Sequence, residues 1–234
     1  MKIAIHQPHY LPWLGYLAKW AAADLFVFLD TVQYEKNGWQ NRNRIKTPQG
    51  ARWLTVPVRA RLGMPIADVA VDTEQPWPRR HWRAVEHAYA RAPAFGAHGA
   101  ALRGLYARPW PRLAPLAAAS AEWLARAAGI AVPVVAASTL GVTETDATGR
   151  LVSICRAVGA GTYLAGQEGA TYMDLAHFRE AGIEVWRQRY EHPRYPQLHG
   201  EFVPFLSGLD LLLTHGDASL GILRRGDAWT RPSP

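Results

Sequence analysis

The sequence lacks what a disulfide-built, metal-bound or membrane-spanning protein would need. Its single cysteine, Cys155, excludes a disulfide framework and any multi-cysteine zinc or iron–sulfur centre. Nine histidines are present, but none falls in an HExxH or other metal-ligand spacing, so neither a metal nor a cofactor is expected. No apolar run approaches the ~20 residues of a membrane span. No basic segment followed by an apolar one precedes Lys2-Ile3-Ala4-Ile5-His6, which gives the expectation of a cytoplasmic protein. Lysine is scarce: only Lys2, Lys19, Lys36 and Lys46 stand among 26 basic residues.

What is present suits one packed domain. Apolar residues make up 49% of the 234 and charged residues 19%, enough for a core and too apolar for disorder. The reading is a single domain over residues 1–228 with a frayed tail over 229–234. The net charge of +7 is concentrated. Lys36, Arg42, Arg44, Lys46, Arg52, Arg59 and Arg61 face only Glu35 between Gln33 and Arg61. Such a stretch attracts phosphates, carboxylates or nucleic acid.

Lys2 to His6 reads as a buried strand, Leu14 to Ala23 as a helix, and Leu25 to Leu29 as a strand covered on both faces. A crossover of that length makes the two strands parallel. Arg44 to Thr47 and Ala51 to Pro57 form a hairpin through Pro48-Gln49-Gly50, and Ile66 to Val71 adds a short strand. Helices are expected over Arg79 to Arg91 and Leu113 to Ala128. Pro93, Gly96, Gly99, Gly104, Pro109 and Pro111 mark breaks between them. Strand and helix then alternate: Val132 to Ala136, Thr145 to Val158, Thr162 to Ala165, Asp174 to Ala181, Ile183 to Arg189, and a last helix over Phe205 to Leu213. The fold class is α/β, a mostly parallel sheet flanked by helices with a β-hairpin insertion.

Ligands of open α/β sheets bind beyond the carboxyl ends of the strands, and four unusual segments fall there. His6-Gln7-Pro8-His9-Tyr10 follows the first strand, with two histidines that titrate near neutrality ahead of a helix N-terminus. Asp30 opens the second segment, which carries Gln33, Tyr34, Lys36, Asn41, Arg42, Asn43 and Arg44 with almost no aliphatic residue. Its polar groups need partners in the protein or in a ligand. Gly166 and Gly169 allow close backbone approach in the third segment, Tyr163 to Asp174, which also holds Tyr172. The fourth, Tyr190 to Gln197, contains Tyr195 and is rich in aromatics.

Other candidates read as structural. Cys155 lies on a helix's core face. His81 and His87 read as surface residues of their helix. Ser138 and Ser207 lack the Gly-x-Ser-x-Gly elbow of a hydrolase. Asp210 beside the buried stripe of the last helix needs a partner, and a loop arginine would serve.

The run His6-Gln7-Pro8-His9-Tyr10-Leu11-Pro12-Trp13-Leu14-Gly15-Tyr16, with Asp30-Thr31-Val32-Gln33-Tyr34, Asn41-Arg42-Asn43-Arg44-Ile45-Lys46 and Trp53-Leu54-Thr55-Val56-Pro57-Val58, resembles the WbqC-like protein family. Tyr195, Gln197 and Phe202-x-Pro204 with Ser207 and Asp210 fit the same family, over about residues 2–223. Gln167-Glu168 departs from the glycine-richer turn the family leads one to expect, so that turn is given no role. The resemblance implies a place among bacterial genes for O-antigen and other surface polysaccharides, in building or modifying amino sugars. A weaker likeness is to the start of the HIGH-type nucleotidylyltransferases. His9-Tyr10-Leu11-Pro12 lacks the second histidine and the glycine of their His-x-Gly-His motif, which argues against adenylyl transfer by that route.

The function expected is a transferase acting on an anionic activated small molecule, a nucleotide sugar or an acyl donor. Acyl or aminoacyl transfer to an amino sugar is the preferred form. Arg42, Arg44 and Lys36 would hold the phosphate, His6 or His9 would act as general base, and Asp30 would orient a histidine or a substrate hydroxyl. Gln7, Tyr10, Gln33, Tyr34, Asn41, Asn43, Gly166, Tyr172, Tyr195 and Gln197 complete the expected binding set. The alternative is a non-catalytic module binding a sugar nucleotide or an assembly partner. A nucleic-acid binder using Tyr34, Trp39 and Trp53 ranks third. The oligomeric state is not legible.

Overall fold

Continuous apolar runs become the central strands of a sheet covered on both sides. The computed structural model describes residues 1–167, 169 and 173–232. β1 (Lys2–His6) is followed by α1 (Leu14–Ala21) and β2 (Leu25–Phe28), and the two strands pair in parallel with Ile3 opposite Leu25. Residues 29–133 form a large insertion. It holds the hairpin β3 (Arg42–Thr47) and β4 (Gly50–Thr55), and a smaller pair β5 (Val58–Arg59) and β6 (Ala70–Val71). Three helices follow: α2 (Trp77–Tyr89), α3 (Phe95–Ala107) and α4 (Leu113–Ala127). The chain returns to the sheet with β7 (Val134–Ala136), α5 (Ala147–Ala157), β8 (Thr162–Ala165), α6 (Leu175–Glu180) and β9 (Glu184–Tyr190). It ends with α7 (Gly208–His215), α8 (Ser219–Arg224) and β10 (Asp227–Thr230).

The six-stranded sheet runs β10-β9-β8-β1-β2-β7, all parallel except the edge strand β10. The chain lays strands outward from β1 on one side, then returns to β1's other side with β8. This is the strand order of doubly wound α/β sheets, and its switch point lies between β1 and β8. Alternate β1 residues divide between the two faces. Ala4 packs with α1, α4, α7 and α8, while Ile3 and Ile5 pack with α5 and α6. A third cluster joins the hairpins to α2, α3 and α4.

Several expectations are corrected. The break between Pro93 and Pro111 is the helix α3, in spite of Gly96, Gly99 and Gly104. Burial of Leu102, Leu105 and Tyr106 outweighs the roughly 1 kcal/mol that each helical glycine costs. The last expected helix begins at Gly208, not Phe205, because the Ser207 hydroxyl caps it by accepting from the Leu209 amide at 3.1 Å. Phe205 is 47% exposed, with φ +57°. Trp229 and Thr230, expected to fray, pair with β9. The Trp229 indole donates to Asp227 at 2.9 Å. His81 is buried, with its ring nitrogens on the Tyr10 hydroxyl at 3.0 Å and the Thr55 carbonyl at 3.2 Å. Asp210 takes no arginine: Tyr89 and Tyr195 donate to its carboxylate at 2.8 and 3.0 Å.

Candidate functional site

The strand ends after β1, β2, β8 and β9 converge on one cavity of about 710 Å³. Its lining includes His6, Leu29, Gly166 and Tyr190, one residue from each of those ends. It therefore sits at the switch point, where doubly wound sheets bind their ligands. Another hollow, of about 670 Å³, lies at the opposite end of β9 between Leu175, Arg179, Glu184 and Arg231. Only the antiparallel edge strand β10 runs toward it, through Arg231; no parallel strand of the sheet points its carboxyl end at it.

α1 supplies the inner wall. Trp13 occupies the helix's N-cap position, and Gly15 follows because its absent Cβ would lie 2.2 Å from the Trp13 ring. Tyr16 and Lys19, one turn apart, face the cavity with Gly15. The rings of His6 and His9 meet edge to face at 4.6 Å, and His9 stacks on Tyr16 at 5.0 Å. The Tyr16 hydroxyl donates to the Gln7 carbonyl at 3.1 Å. His6 Nδ1 donates to the same carbonyl at 3.3 Å, which leaves the lone pair on Nε2.

The electrostatics follow from burial. Loss of solvent, followed by the positive charge of Lys19, holds the His6 imidazole well below its ordinary pKa. The same two causes push His9 down to about 3. Both rings are neutral at pH 7. Lys19 is only 2% exposed; Nζ donates to the Ile5 carbonyl at 3.0 Å, and burial brings its pKa down to about 7. Among the described residues, the lining carries Lys19 and Arg150 and no carboxylate. Trp13, Trp39, Tyr190 and Phe205 give the mouth an aromatic rim, with Trp13 and Phe205 5.7 Å apart.

A family model described as the WbqC-like protein family matches residues 7–222, nearly the whole chain and all of this cavity's histidine loop but His6. The chain belongs to the WbqC-like protein family. It is also 34% identical over 227 residues to the uncharacterized protein Rv1507c of Mycobacterium tuberculosis, covering 95% of this chain and 97% of that one. No solved structure matches it.

In this WbqC-like protein the expected site residues separate into two groups. His6, Gln7, His9 and Gly166 line the cavity. The rest of the described ones do not. Asp30 meets neither histidine; its two oxygens accept from the Ser138 amide at 2.9 Å and hydroxyl at 2.6 Å. Tyr10 is fully buried in the insertion, with its hydroxyl 2.7 Å from that of Tyr106. Gln33, Tyr34 and Lys36 lie along the loop after β2, where Gln33 bridges Pro65 and the Tyr34 amide donates to the Met64 carbonyl at 2.8 Å.

The asparagine and arginine group belongs to the hairpin. Asn41 Nδ2 donates to the Val56 carbonyl at 2.8 Å, and Asn43 Nδ2 donates to that of Leu11 at 2.8 Å. Arg42 lies over the Trp53 ring at 4.3 Å and donates to Asn37. Arg44 donates to the carbonyls of Pro204 and Phe205 at 3.3 and 3.2 Å. Tyr195 is committed to Asp210, and Gln197 both donates to and accepts from the Val203 backbone. Tyr172 lies outside the described residues.

Lys19, Arg150 and Gln188 line the cavity without having been singled out from the sequence, and Trp13 and Tyr16 stood in it only within the run that carries the family resemblance. For Lys19 a signal was there: it is the one charged residue of the helix LGYLAKWA, whose residues Leu14 to Trp20 are all buried.

Among the described residues, no helix is long and apolar enough to cross a membrane.

Proposed function

We propose that this protein is a transferase whose cavity binds an activated anionic small molecule, a nucleotide sugar or an acyl donor, in the building of a surface polysaccharide or a related amino sugar. The observation that carries the reading is the meeting of neutral His6 with a cationic lining at the sheet's switch point. His6 Nε2, with its partner nitrogen committed to the Gln7 carbonyl, has the tautomer that accepts a proton from an amine or hydroxyl. Acyl or aminoacyl transfer to an amino sugar needs only such a base and a held donor. The aromatic rim offers flat faces to a sugar or a base.

The test is turnover. Incubation with amino-sugar nucleotides and acyl donors, read by mass spectrometry, gives an acylated sugar; His6→Gln lowers the rate by about 10²–10⁴ and leaves melting nearly unchanged. One observation favours a second reading, a non-catalytic binding module. Among the described residues no carboxylate reaches His6 or His9, because Asp30 is occupied by Ser138. Saturable nucleotide-sugar binding with no product from any donor would decide for that module.

A further inference from the structure

We propose that Lys19 is the anion receptor of the cavity, seating a tetrahedral oxyanion of the phosphate type beside Gly166. The proposal rests on the reading of the cavity as the ligand site, and it moves the anion-binding role from the hairpin arginines to the floor of the switch point.

Three observations meet there. Lys19 Nζ is anchored on the Ile5 carbonyl, the next-to-last residue of β1, so the ammonium group is fixed between the ends of β1 and β8. A Cβ at Gly166 would stand 3.7 Å from Nζ, so the glycine leaves open the space where a ligand oxygen would approach. His9 is nine-tenths buried in the same lining, and its Nδ1 has no hydrogen-bond partner. A buried polar atom without a partner costs about 1–3 kcal/mol, and in the tautomer protonated on Nδ1 the neutral ring would donate that hydrogen to a ligand oxygen. By contrast, the guanidinium groups of Arg42 and Arg44 are held by backbone carbonyls and by Trp53.

Among the described residues, no acid that shares the cavity lining with Lys19 restores the proton that burial weakens. The titratable groups lining the cavity with it are His6 and His9 from β1 and the following loop, Tyr16 from its own helix, Arg150 from α5, Tyr163 from β8 and Tyr190 from β9. None is an acid that ionises below neutrality. Burial alone brings Lys19 down to about 7, and an entering dianion supplies the opposite charge that restores its proton. Anion binding is therefore coupled to proton uptake, strongly so above pH 7.

The experiment is calorimetric titration of the full chain with sulfate, a dianion that does not itself titrate between pH 6 and 9. Titrations at pH 6.5 and 8.5 are run in buffers of different ionisation enthalpy, with acetate as the carboxylate control. The expected result is one site that prefers sulfate, an affinity lower by more than about tenfold at pH 8.5, and uptake of nearly one proton there. Lys19→Met abolishes the binding while far-UV circular dichroism stays native. Undiminished sulfate affinity in folded Lys19→Met overturns the proposal. Should that variant not fold, the wild-type chain still decides, since no sulfate binding, or binding without proton uptake at pH 8.5, overturns it as well. Sulfate binding of this kind in a chain that transfers nothing would end the transferase reading and leave the anion site standing.

Discussion

Asn43 Nδ2 donates to the carbonyl of Leu11 at 2.8 Å, and Leu11 is held at φ +46°, a conformation few leucines adopt. The bond ties β3 to the loop that carries His6 and His9. Two backbone bonds reinforce it: the Ser207 amide to the Arg44 carbonyl at 2.8 Å and the Gly208 amide to the Pro12 carbonyl at 2.7 Å. The hairpin, the histidine loop and the start of α7 are thus one framework around the cavity mouth. Asn43→Ala strands a buried carbonyl beside a strained residue, and chemical denaturation should show a loss of about 1–3 kcal/mol. Loss of ligand affinity at unchanged stability would show instead that the asparagine faces a ligand.

How far the sequence could be read depended on what each residue's chemistry leaves open. Leu25 to Phe28 is apolar throughout because both of its faces are covered, so its strand was plain. β10 was not, because an edge strand carrying Asp227 and Thr230 reads like a tail. α3 hid behind its glycines. The site divided in the same way. A polar loop has one composition whether its groups bond to a ligand or to the backbone, and Asn41, Asn43 and Gln197 all bond to backbone. Position pointed to His6, which ends a buried strand, and to His9 in the loop after it, and both line the cavity. Lys19 was lost because a lysine near a helix C-terminus ordinarily faces water.

The buried histidines make stability sensitive to acid. His9 is held at about 3 in the folded chain against 6.5 in the unfolded one. The unfolded state therefore binds more protons across that interval. Stability is complete above pH 6.5 and falls as the pH drops toward 3, by about 1.4 kcal/mol per pH unit for this one group. Urea titrations at pH 7, 6, 5 and 4 should show the acid limb of His9→Gln shallower by that amount. Identical slopes in the two proteins would mean that His9 is solvated.

Cys155 has a packing role. It is fully buried on α5 among Ile154, Leu151 and Phe178, and burial pushes its thiol up to about 12. Cys155→Ala should lower stability by about 1–2 kcal/mol for a small buried truncation and leave sulfate binding intact. The native thiol should resist a disulfide reagent until denaturant is added. Rapid labelling of the folded chain would contradict the burial.

Arg42 distinguishes the hairpin from the cavity floor. Its guanidinium carbon lies 4.3 Å from the centre of the Trp53 ring, and the group donates to the side-chain and backbone oxygens of Asn37, which is itself at φ +68°. Lysine can approach the ring but cannot make both bonds in one plane. Trp53 is 41% exposed, so the stacking contributes only about 0.5–1 kcal/mol. Arg42→Lys should accordingly lower the melting temperature slightly and loosen the turn at Asn37. Its sulfate affinity should stay within about twofold of wild type, since roughly 0.4 kcal/mol separates a twofold change. Melting and calorimetry on the one variant check both statements. A tenfold loss of sulfate affinity with melting unchanged would return the anion to the hairpin and leave Lys19 as a buried strut between β1 and β8.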